Sequence, residues 1–235
     1  MKTVEEWSAE FDMLYNNITS NQAPGLTEYE KSKFLTDAQE AVVVMLYNGT
    51  ARNSFEETEE ITDYLSTLVK QADINGNAED KTMPHIVEGT KIYRLPNDIL
   101  FRTLELCTLS DVENCDGTVV ANVVPVTQDE FWRTHRNPFK KQNERRVLRL
   151  AQGKYGSDPV NGEGKSDYSE LYSDYPIAKY TVRYIKRPEP IILCYLDDGL
   201  GIRGKTAPCT CKLDEALHLT ILAEAVRMAK AVWNS

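Results

Sequence analysis

Residues 213–233 read LDEALHLTILAEAVRMAKAVW, and their spacing decides the fold. Leu213, Leu217, Ile221, Ala225, Met228 and Val232 recur at helical steps and line one side of a helix that starts near Asp214. Leu222, Val226, Ala229 and Trp233 line a second side. A helix that is apolar on two sides must be covered on both. Its partners have to come from elsewhere in the chain, or from another chain.

The first third of the sequence supplies such partners. Trp7, Phe11, Leu14, Tyr15 and Ile18 share one helix face. Asn21 to Gly25 then breaks the helix, because Pro24 lacks a donor and Gly25 tolerates unusual dihedrals. Thr27-Glu28-Tyr29-Glu30 has capping-box spacing, in which hydroxyl and carboxylate each satisfy the other's orphan amide. The helix it opens buries Phe34, Leu35, Ala38, Val42, Met45 and Leu46 and should stop near Asn48-Gly49. Ser54 to Glu57 offers another capping box, before a third helix with Ile61, Tyr64, Leu65, Leu68 and Val69.

From about Thr82 the apolar period changes to 2. Lys91 to Leu95, Ile99 to Thr108, Thr118 to Val126, Ala178 to Lys186 and Ile191 to Leu196 read as strands, antiparallel and joined by turns. Thr127 to Glu130 has capping-box spacing and opens a short helix with Phe131 and Trp132. Residues 153–174 read as a long surface loop. The expected fold is α+β. A helical bundle is formed by residues 1–81 and 212–235, and a β-rich insertion spans 82–211.

Composition narrows the function. The 235 residues are 41% hydrophobic and 27% charged, which suits globular structure rather than a disordered tail. The longest apolar run, Ala41 to Tyr47, is far short of the roughly 20 residues of a membrane span. The N-terminus is acidic where a secretory signal would be basic, so an intracellular product without membrane partners is expected. The net charge of −9 disfavours general nucleic-acid binding. Five cysteines without paired zinc-ligand spacing, and three scattered histidines, suggest reduced thiols and no metal centre or other cofactor.

The charge is unevenly placed. Residues 1–80 hold 16 acids against 5 bases, a net of −11. Residues 129–150 hold 3 acids against 7 bases, a net of +4. Solvated helix faces account for such asymmetry in many proteins. Complementary surfaces for self-assembly are the sharper alternative. On that reading the candidate contacts are Lys140, Lys141, Arg145, Arg146 and Arg149 on the basic side and Glu56, Glu57, Glu59 and Glu60 on the acidic side. Met228, Val232 and Trp233 at the end of the last helix complete the set. The four glutamates equally suit the positive end of the third helix's dipole.

One enzymatic motif needs weighing. Residues 199–206 match GxxxxGK[ST] literally. A phosphate loop also needs a helix opening at its Gly-Lys and a later strand bearing a magnesium-binding acid. Ala207-Pro208 follows instead, and about 30 residues remain. The loop is read as a connection with Arg203 and Lys205 exposed. No nucleophile elbow or zinc-protease signature is present, so catalytic residues are not assigned.

Two stretches carry a family resemblance. One is Leu14 to Ile18, Asn21 to Leu26 and Glu28 to Gln39; the other is Tyr184 to Leu193, Ala207 to Cys209 and Leu217 to Val226. They resemble virion ring proteins of crAss-like bacteriophages, in particular portal-proximal head-to-tail adaptors. The resemblance implies a structural role in the virion neck or tail without catalysis. It implies about twelve copies in a ring, contacts with the portal protein and with the next neck or tail ring, and genomic DNA passing through without sequence-specific binding. It also implies assembly in the bacterial host cytoplasm. Another neck or tail ring protein is the alternative position. A nucleotide-binding protein using residues 199–206 is the alternative function.

Overall fold

The computed structural model describes residues 2–16, 25–49, 59–75, 85, 87–112, 118–155, 166–197 and 199–233. The protein is mixed α and β. Its chain divides into two compact units, one of residues 1–68 with 187–235 and one of residues 69–186.

In the first unit, α1 (Val4–Asn16), α2 (Glu28–Asn48) and α5 (His218–Trp233) pack on one another. Trp7, Phe11 and Tyr15 of α1 are buried, as are Leu35, Ala38 and Val42 of α2 and Ile221, Leu222, Ala225 and Val226 of α5. The two apolar sides of α5 are thus covered along its first half. The Thr27 box forms in full: its hydroxyl accepts from the Glu30 amide and the Glu30 side chain accepts from the Thr27 amide. Gly49 ends α2 at φ 68°, a left-handed cap that glycine adopts without steric cost. The Ser54 box lies outside the described residues.

The third helix is shorter than its periodicity suggests. α3 covers Glu59–Leu65, a 3₁₀ turn follows over Ser66–Leu68, and Val69 opens strand β1 (Val69–Ile74) instead of continuing the helix. Val69 pairs with Ile185, so a β-branched residue finds a ladder partner.

The second unit is a seven-stranded sheet in the order β1-β7-β3-β4-β5-β6-β2. The remaining strands are β2 (Lys91–Arg94), β3 (Ile99–Leu109), β4 (Val119–Pro125), β5 (Arg146–Tyr155), β6 (Ser166–Tyr172) and β7 (Ile177–Lys186). All neighbours are antiparallel except β4 and β5, which run parallel. The all-antiparallel expectation fails there because α4 (Gln128–His135) acts as the crossover that parallel neighbours require. Residues 153–174 are no single loop: β5 reaches Tyr155 and β6 begins at Ser166.

The sheet curls on itself. Tyr93 of edge strand β2 meets Tyr180 of β7 edge-to-face at 5.4 Å, although four strands separate them in the ladder. Inside the curl Cys107, Leu109, Ala121, Val147, Leu171 and Val182 form the core. A charged set shares this interior. A bulge in β3 between Arg102 and Leu104 breaks the two-residue alternation, so Arg102 and Glu105 share a face. Arg102 pairs with Asp167 at 2.7 Å, and Arg149 with Glu105 at 2.9 Å. The Tyr180 hydroxyl donates to Glu105 as well, and burial pushes that phenol's pKa upward.

The strand expected over residues 191–196 is also absent. Ile192 makes one bridge to Cys209, while its neighbours bond to α2 side chains. The Ile191 amide donates to Thr36 Oγ1 (3.1 Å) and the Leu193 amide to Ser32 Oγ (2.9 Å). Helix hydroxyls here take the place of a second strand.

Candidate functional site

The basic segment is built on α4. Phe131 faces inward onto Leu148 and Leu150, on the opposite face of β5 from Val147 and Arg149. Its ring meets Tyr172 edge-to-face at 5.4 Å. His135, one turn later, stacks on Phe131 and its Nδ1 is 3.1 Å from Gln142 Oε1. Gln142 Nε2 in turn donates to Asp174 (2.9 Å). With positions 131 and 135 inward, helical geometry turns Trp132, Arg133 and Arg136 outward.

The following turn is pinned by its own hydrogen bonds. The Asn137 carbonyl accepts from the amides of Lys140 and Lys141. Asn137 Oδ1 accepts from the Phe139 amide, and Arg146 donates to the Phe139 carbonyl at 2.8 Å. The result is a fixed, shallow concavity of about 810 Å³ between Trp132, Arg133, Arg136 and Phe139. Phe139 is 89% exposed and Trp132 55%.

The five basic candidates separate by role. Lys140, Lys141 and Arg145 are exposed on this surface. Arg146 holds the turn through the Phe139 carbonyl. Arg149 points into the sheet, where Glu105 compensates its charge. Sequence reasoning missed Trp132, Arg133, Arg136 and Phe139 as surface groups. The signal was present in the spacing of Phe131 and His135, which marks the buried side of α4.

The acidic candidates are not gathered into one site among the described residues. Glu59 is exposed at the start of α3, and Glu60 is its second residue. Glu56 and Glu57 lie outside the described residues. On α5, Met228 is half-buried, Val232 is 65% exposed, and Trp233 is the last helical residue. Beside them, α2 and α5 leave an open groove of about 470 Å³, lined by Ala41, Val42, Met45, Thr220 and Ala223, with the Glu224–Arg227 ion pair at its rim.

The family model described as phage tail ring protein 3/4 matches residues 1–235. The chain belongs to this family. It is 38% identical over 233 residues to Ring protein 3 of Bacteroides phage crAss001, an alignment covering 97% of this chain and 94% of that protein. It is 33% identical over 240 residues to Ring protein 4/5 of the same phage, covering 98% and 93%. The resemblance to crAss-like phage ring proteins therefore holds for the whole length, including the β-rich part.

In this tail ring family member, residues 199–206 fold as a tight turn. Ile202 and Lys205 exchange both backbone hydrogen bonds (3.0 and 3.1 Å) across Arg203 (φ 51°) and Gly204 (φ 74°). The Ile202 and Lys205 amides, each donating to the other's carbonyl, are not available to cradle a phosphate. Lys205 Nζ bonds Glu189 at 2.9 Å, and Arg203 pairs with Glu40. Both cations are thus engaged in ion pairs, although they remain partly exposed. Lys212 also bonds Glu189, and the two ammonium groups lower its carboxyl pKa to about 2. Among the described residues no three His, Cys, Asp or Glu side chains converge as metal ligands would. No helix among them is long and apolar enough to cross a membrane.

Proposed function

We propose that the chain is a structural subunit of a tailed-phage virion. Copies of it close into a ring in the neck or tail, join head to tail by stacking on neighbouring rings, and extend the DNA channel. The observation that carries this reading is the match of the entire chain to a tail ring family. The packed α1, α2 and α5 serve as the ring's helical bundle, and the curled sheet is its insertion, in the manner of an adaptor.

Ring closure repeats a heterologous interface, in which one face meets a different face of the next copy. The basic segment offers one such face in exposed Arg133, Arg136, Lys140, Lys141 and Arg145, and the net −11 over residues 1–80 offers acids to oppose it. The resemblance to head-to-tail adaptors implies about twelve copies in the ring. The portal, or a ring seated on it, is the head-side partner, and the next tail ring is the other. Acidic excess towards the lumen keeps DNA from adhering as it passes, because like charges repel. The role is assembly in the host cytoplasm followed by residence in the virion, with no catalytic step.

Electron microscopy of virion necks labelled on this protein tests the reading. Rings at the neck or tail are expected. Label confined to the capsid shell or absent from particles would overturn it. Light scattering of the full chain mixed with its head-side partner should give a mass many times that of one 26.7 kDa subunit.

A further inference from the structure

Phe139 is nine-tenths exposed although it is a large apolar group on a turn that cannot fold it away. Large exposed aromatics flanked by arginines are characteristic of interface centres rather than of ordinary surface. Around it stand Trp132, Arg133, Arg136 and a single acid, Asp129, and exposed Lys140 follows it in the chain. In the helical unit, the α2–α5 groove offers apolar walls from Ala41, Val42 and Ala223, with half-exposed Met45 as an adaptable side. Exposed Asp37 lies one helical turn ahead of Ala41 on α2, and exposed Glu30 two turns before that.

We infer that the α4 face of one copy docks into the α2–α5 groove of the next, with Phe139 as the inserted side chain. The inference rests on the ring reading above and names the pair of faces that closes the ring. Two different faces on every copy are what a heterologous interface demands. Their charges are complementary on the α2 side of the groove: exposed Arg133, Arg136 and Lys140 stand on one face, and α2 carries Glu28, Glu30, Asp37 and Glu40 against Lys31 and Lys33 on the other. The turn is already fixed by its hydrogen bonds, so little freedom is lost on docking.

Nucleic acid is the competing occupant of a cationic aromatic surface. The chain's net charge of −9 opposes a polyanion. A protruding Phe139 also suits an apolar slot better than a phosphate backbone.

The test is photo-cross-linking of the full chain with benzoylphenylalanine in place of Phe139, in self-assembled rings or in rings carried by isolated necks. Cross-linked peptides are expected between position 139 of one copy and residues 37–46 or 219–228 of another. Rings whose cross-links run to DNA, to another protein or to a different part of the sister copy overturn the docking while leaving the ring reading intact. Rings without any cross-link from this position do the same. A chain that is monomeric in both settings overturns the ring reading itself. In parallel, F139S and R133E should each raise the concentration needed for assembly about tenfold or more. Their far-UV circular dichroism should match the parent, since both positions are exposed. L200S, which alters an exposed leucine elsewhere, is expected to assemble as the parent does. Normal assembly of F139S and R133E would overturn the inference.

Discussion

His218 is buried at the start of α5, its ring 5.0 Å from that of Trp7. Its Nε2 meets the Leu213 carbonyl at 3.3 Å, and its Nδ1 has no hydrogen-bond partner. Burial lowers its pKa below the ordinary 6.5, with nearby Lys2 adding to the effect and Leu213 and Glu215 opposing it. The unfolded chain therefore takes up this proton first as pH falls. Stability from this site is complete above pH 6.5 and declines as the pH drops below it. Urea midpoints of the parent should fall over that range, and H218F should flatten this limb. Identical slopes would show that the ring does not titrate this way. Glu105 is a buried carboxylate held between Arg102, Arg149 and Tyr180. E105Q leaves Arg149 without its counter-charge, while Arg102 keeps Asp167. Its cost should be on the order of 3 kcal/mol in chemical denaturation, as for other broken buried pairs.

Helix α2 shows how far local chemistry reaches at the scale of an element. Its start and stop follow from Thr27, Glu30 and Gly49, groups whose effect is confined to one turn. T27A should cost about 1 kcal/mol in unfolding free energy, with the fold retained by circular dichroism. Strands 91–95, 99–108, 118–126 and 178–186 were likewise legible, because alternation reports a half-buried ladder. Val69 and residues 191–196 were not. Their conformation is set by Ile185 in one case and by Ser32 and Thr36 in the other, all remote in sequence. Element α4 depends on Phe131 as its anchor. F131A should cost about 3–5 kcal/mol. It should also redden Trp132 fluorescence as the helix loosens from β5, a shift that T27A should not produce.

For the whole molecule, the asymmetry of charge has an assembly consequence. Interfaces held by opposite charges weaken when counter-ions screen them, since the screening length falls from roughly 10 Å at 0.1 M salt to about 3 Å at 1 M. Ring mass by light scattering should therefore decrease across that range. Constant mass would assign cohesion to the apolar contact alone. Part of the predicted basic face proved internal, because Arg149 is neutralised by Glu105 within its own sheet. Its replacements at the surface are Arg133 and Arg136, which frame the exposed Phe139.

Helix periods, the Thr27 capping box, strand alternation and the net charge of each segment depend on neighbours a few residues away, so the sequence alone determined them; the box expected at Thr127 does not form, as that side chain makes no capping hydrogen bond. The two stretches quoted from the chain's ends also determined the family. The curl of the sheet, the parallel β4–β5 pair and the inward turn of Arg149 depend on groups 24 or more positions apart meeting in space, as Val123 and Val147 or Arg149 and Glu105 do. Those choices compare the burial and pairing of whole surfaces, and only the tertiary structure could make them.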